Sequence, residues 1–143
     1  MTELFIGIGF ALLLVFTTRE RPVSAWIYTA TLPWLAIIYI AFALYAGDLE
    51  ALGQEIFWGI PLVFVAMLLR RGSFRGSVYL VACAWLAHGL YDVCHDLLFI
   101  NEGVPKWYPL LCAGFDLIVA LYLVFVGRSL DNGNIRNIAT TTP

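Results

Sequence analysis

The run Trp107–Val126, WYPLLCAGFDLIVALYLVFV, holds twenty residues with one charged side chain, Asp116. A helix that long and that apolar has no polar face to turn to water. Its length matches the roughly 20 residues needed to cross a bilayer. Four further apolar stretches surround it, and together they dictate a helical membrane bundle. Hydrophobic residues make up 62% of the 143-residue chain and charged residues 13%, with a mean hydropathy of +0.86. A soluble domain carries about a quarter charged residues, so this chain has too few charges to cover its apolar surface.

The five stretches predict an all-α, polytopic bundle with transmembrane helices at about 3–18, 23–46, 55–70, 77–100 and 106–127. The first and third are short, and charge placement supports them. The successive connections, the last being the C-terminal tail, carry two, no, three, one and two basic residues. With five spans, seven of the eight cations fall on one side. The positive-inside rule makes that side cytoplasmic, with the N-terminus outside and the C-terminus inside. Glu3 before the first stretch, and Arg19 and Arg21 after it, have the reverse polarity of a cleaved signal peptide. The expected location is the inner (cytoplasmic) membrane. Residues 1–130 read as one domain, and the polar tail 131–143 reads as disordered.

Several function classes fall away. No basic run exists, so nothing points to nucleic acid. The three cysteines, Cys83, Cys94 and Cys112, lie in apolar segments and form no CxxC pair, which argues against a disulfide framework. Both histidines lie on one helix, which argues against a bis-histidine haem within one chain. The expected partners are the bilayer itself and a second copy or a membrane-complex subunit. Most tryptophans and tyrosines fit an interfacial aromatic belt. Trp34 and Trp85 lie deeper, where they can line a pocket. Glu55 reads chiefly as a solvated loop acid, with a position facing the polar cluster as the alternative. Pro33 and Pro61 should kink their helices, and Gly7 with Ala11 offers a small face for close packing.

Chemistry concentrates in AHGLYDVCHD, residues 87–96. At about 100° per residue, His88, Asp92 and His95 share one face, Cys94 turns away and Asp96 lies at the edge near the outer surface. On the next helix Cys112 and Asp116 are four apart and share a face. From the helical rise, Asp116 comes level with His88, and Cys112 with Asp92. The two stripes should therefore meet between the fourth and fifth helices. Intramembrane charges are costly and mark functional sites by default.

Four readings follow. One is a structural His–Asp network. A second is a site using His88, Asp92 and Asp116 as general acid and base, or using His88, Asp92, His95 and Asp116 as ligands to a divalent metal such as zinc. His88 and His95 are about 10.5 Å apart along a straight helix, too far to grip one ion together, so one histidine with Asp92 and Asp116 is the compact set. The third is proton movement along the ladder ending at Asp96. The fourth is binding of a lipid or small hydrophobe. Activity thus stands between a metal-assisted or acid–base hydrolase of a lipid-like substrate and a non-enzymatic assembly or binding subunit.

The stretch Trp85–Val124 resembles a small bacterial integral-membrane family of unknown function. His88, Tyr91-Asp92, His95, Pro109, Cys112 and Asp116 match that family's pattern, while Asp96 stands where the family has a second adjacent histidine. The resemblance implies a shared membrane fold and no activity. A looser likeness to intramembrane metal hydrolases of the ceramidase type implies a three-histidine metal set, and this chain has two histidines.

Overall fold

The computed structural model of the chain describes residues 1–19, 24–69 and 74–141. Arg21, in the connection after the first apolar stretch, and Arg70 and Arg71, in the one after the third, lie outside the described residues. Those described are helical apart from short connections: α1 (Thr2–Thr18), α2 (Ser24–Ala30), α3 (Leu32–Ala46), α4 (Leu49–Leu69), α5 (Phe74–Leu98) and α6 (Tyr108–Thr141). Four stretches are long and apolar enough to cross a membrane: Trp26–Ala46, Leu49–Leu69, Ser77–Leu98 and Tyr108–Asn132. α1, at 17 residues, is a shorter apolar helix. α6 keeps a helical backbone through Thr141, across the tail whose composition suggested disorder.

The second apolar stretch is interrupted at the single residue Thr31, which keeps right-handed helical angles, so that Trp26–Ala46 still forms one span. Thr31 separates α2 from α3, and Pro33 sits in the first turn of α3, where its missing N–H costs nothing. Trp85 Nε1 donates to the Tyr28 carbonyl at 3.0 Å, just before this interruption. Trp85 is therefore a core residue, while Trp34 is exposed; neither lines the main cavity. α4 runs without interruption past Pro61.

The third helix begins earlier than its apolar run. Gly47 takes a left-handed conformation (φ 70°) that ends α3. Asp48 Oδ1 then accepts from the backbone N–H groups of Glu50 and Ala51 at 3.0 and 2.9 Å, capping the orphan donors of α4. Glu50 and Glu55 are thereby on a helix instead of in a loop.

α6 packs between α1 and α5, and α3 packs along α4; α5 joins the two halves through smaller contacts with α2, α3 and α4. The crossing of α1 with α6 is backbone against backbone. A Cβ on Gly7 would strike the Leu111 carbonyl, and one on Gly114 would strike the Leu4 carbonyl. Half of the α5 span is buried but only 22% of the α4 span, so α5 is central and α4 peripheral. Large apolar side chains such as Phe5, Phe10, Phe57, Phe64 and Phe125 point outward. That surface is far more apolar than a water-facing one, and it suits a membrane protein.

Candidate functional site

Two polar groups sit among these helices, one centred on His88 and one on His95. They are adjacent, and the tyrosine between them belongs to α3.

In the first group α5 supplies His88 and Asp92, one turn apart, and α6 supplies Asp116. His88 Nδ1 lies 2.7 Å from Asp116 Oδ2 and 3.4 Å from Asp92 Oδ2. Gly89 makes this approach possible: a Cβ there would sit 3.1 Å from the Asp116 Cβ. Tyr39 donates its hydroxyl to Asp92 Oδ1 at 2.7 Å. All three ionisable residues are buried, Asp116 completely. Asp92 Oδ2 and Asp116 Oδ1 are buried and accept no hydrogen bond. One ligand atom from each of His88, Asp92 and Asp116 falls within 4.8 Å of the other two.

The second group is built differently. Glu55 is 2% exposed, so its reading as a solvated loop acid is corrected: α4 starts at Leu49, and its buried face runs Ala51, Glu55, Gly59, Leu62. Glu55 Oε1 contacts His95 Nε2 at 3.0 Å and accepts from Asn101 Nδ2 at 2.8 Å. Glu55 Oε2 accepts from the Tyr91 hydroxyl at 2.6 Å. His95 Nδ1 faces Asp96 Oδ1 at 3.2 Å, and the Asp96 side chain is 85% exposed. Asn101 Oδ1 in turn accepts from the Gly103 N–H at 3.1 Å. Both Glu55 oxygens and both His95 ring nitrogens therefore have partners. The Tyr39 ring lies 5.0 Å from the His95 ring and 6.0 Å from the His88 ring, centroid to centroid, and separates the two groups.

The structure thus brings together His88, Asp92 and Asp116 and assigns His95 elsewhere, to Glu55. Asp96 is at the surface. Cys112 is buried beside Tyr108. Cys94 is exposed and lines the same cavity as His88. Tyr39 and Asn101 have no reading in the sequence, and for Glu55 the position facing the cluster is only the alternative there. Tyr39 and Glu55 each carry a signal in hindsight, a polar residue on a stripe of small ones: Ala36, Tyr39, Ala43 on α3 and Ala51, Glu55, Gly59 on α4. Asn101 sits in a loop and carries no such periodic signal.

A cavity of about 320 Å³ lies between α3, α4 and α5, with His88, Tyr39 and Glu55 in its wall. No family model matches the chain, and no curated protein or solved structure matches it either. Its function is therefore argued from geometry.

The difference between the groups is chemical. A buried acceptor without a donor costs roughly 1–3 kcal/mol, more when charged. The His95 group meets that demand internally and ties α4 and the loop after α5 together. The His88 group does not. With a neutral imidazole it holds two carboxylates and a formal charge of −2, in apolar surroundings, with two oxygens unmet. It needs either protons or a cation.

Proposed function

We propose that the chain is a multi-pass protein of the inner membrane, with five spans and the N-terminus outside, whose working site is the His88–Asp92–Asp116 group. In this reading the group binds one divalent cation and acts on a lipid-like substrate. The observation that carries it is that Asp92 Oδ2 and Asp116 Oδ1 are buried without a hydrogen bond, while the two carboxylates they belong to both contact the one His88 nitrogen. Two carboxylates, a neutral imidazole and a divalent ion sum to zero charge, the state an apolar interior favours. Tetrahedral bonds of about 2.0–2.1 Å place ligand atoms about 3.4 Å apart. His88, Asp92 and Asp116 would hold the ion, their ligand atoms lying within 4.8 Å of one another.

A cation held there supplies a polarised carbonyl and a more acidic bound water. The chain's own groups handle the remaining chemistry of an ester. Water adds to the carbonyl carbon, a buried carboxylate or imidazole takes its proton, the C–O bond breaks, and that proton passes to the departing alcohol. Tyr39 positions Asp92 by its hydrogen bond.

The test is calorimetric titration of Zn²⁺ and Mn²⁺ into chelator-stripped protein. One saturable site for at least one of the two ions, lost in His88→Ala, supports the reading. No binding of either ion removes the metal. A second reading, a purely structural His–Asp network, gains only if the stripped protein binds nothing and His88→Ala loses stability alone.

A further inference from the structure

The cavity beside the His88 group has two unlike ends. His88, Tyr39 and Glu55 form one wall. Trp58, Leu90 and Leu98 also line it, and these three are 41%, 59% and 45% exposed on the apolar exterior. The opening therefore faces the surroundings of the bundle, which for a spanning protein is lipid. α4 and α5 touch only sparingly along this side, which leaves the cleft.

Size and charge restrict what enters. At about 30 Å³ for each water-sized group, 320 Å³ accommodates roughly ten such groups, one segment of a single chain rather than two. Among the described residues no Lys or Arg lines the cavity. Its ionisable neighbours are Glu55 within the wall and Asp92 and Asp116 behind His88 and Tyr39. A phosphate or carboxylate headgroup would meet the Glu55 carboxylate in the wall, and the one basic side chain there, His88, is already paired with Asp92 and Asp116; like charges in low dielectric repel strongly.

We infer that the cleft between α3, α4 and α5 takes an uncharged, single-chain amphiphile from the bilayer, its ester or hydroxyl end beside His88 and Tyr39 and its chain past Trp58 and Leu90. This deepens the reading of the His88 group as the reactive site and rests on it for chemistry, but not for binding. The site selects neutral headgroups and excludes free fatty acids.

The probe is a monoacylglycerol carrying a diazirine on its acyl chain, photolysed with the full-length protein in nanodiscs. The experiment is run on both chelator-stripped and Zn²⁺-loaded protein, so failure of the cation and failure of the cleft are separable. Adducts are expected on residues 58–62 and 87–98. A hundredfold excess of unlabelled monoacylglycerol should cut them roughly tenfold or more, whereas the same excess of a fatty acid at pH 8 should leave them within about twofold. Adducts on the outward face of α1, at Phe5 and Phe10, serve as the bulk-lipid control and should not respond. Ala87→Phe fills the cleft from an exposed position and should abolish the competed adducts; Leu90→Trp does the same should that variant fail to fold. Equal competition by ester and fatty acid overturns the inference. So does a response at α1 equal to that at α5, or the absence of any competed adduct in both metal states.

Discussion

Removing the Glu55 carboxylate tests whether the His95 group is what holds α4 to α5. Glu55→Ala deletes three contacts at once: His95 Nε2 at 3.0 Å, Asn101 Nδ2 at 2.8 Å and the Tyr91 hydroxyl at 2.6 Å. Hydrogen bonds between membrane helices average about 0.6 kcal/mol and reach about 1.7. Three of them give roughly 2–5 kcal/mol. The upper half of that range is favoured, since His95 is completely buried and loses its partner with no water to replace it. α4 has few other contacts with α5 to compensate. Glu55→Gln keeps an acceptor for Asn101 or His95 and should lose about 1–2 kcal/mol. The assay is reversible unfolding in mixed micelles with increasing denaturing detergent, using Phe57→Ala on the exposed face of the same helix as the control. A loss below about 0.5 kcal/mol for Glu55→Ala, no greater than the control, refutes the structural role of this group.

Other expectations follow from the same contacts. Tyr39→Phe leaves Asp92 Oδ1 buried without a donor and should destabilise the stripped protein by about 1–3 kcal/mol, with saturating cation recovering part of the loss in the same unfolding assay. Gly114→Leu drives side-chain atoms into the Leu4 carbonyl and should separate α1 from α6, read as faster proteolysis within residues 1–19. A Gly114→Leu chain that is as resistant as the native one contradicts the packing. For topology, a reporter active only in the periplasm and fused after Pro143 should be silent, whereas a strong signal overturns the proposed orientation.

The sequence carried the helical class and the His88–Asp92–Asp116 grouping for a simple reason. Helical periodicity and rise are fixed by the backbone, so residues three and four apart on α5 must share a face. The short connection to α6 sets the level at which Asp116 arrives. His95 pairs with Glu55, which comes from a helix far away in sequence, so no local pattern on α5 separates it from the His88 group. Glu55 reads as a loop acid because the apolar run begins only at Ile56, yet Asp48 caps the helix from Leu49. Hydropathy sees the apolar span and not the capped polar turn before it. Tyr39 lies inside a continuous apolar stretch, where a tyrosine that bonds a carboxylate reads like one that packs. Long-range pairings such as Tyr39–Asp92, 53 residues apart, are set by tertiary packing that no local pattern records.

In the proposed reading one polar group works and the other holds the bundle together. Metal content by atomic emission, measured on purified protein after zinc loading and desalting, separates them most directly when the native chain is compared with Asp116→Asn and Glu55→Gln. About one zinc per chain is expected in the native protein and in Glu55→Gln, and none in Asp116→Asn, which removes a ligand charge while preserving shape. A metal-free native protein, or zinc kept in Asp116→Asn and lost in Glu55→Gln, contradicts this reading.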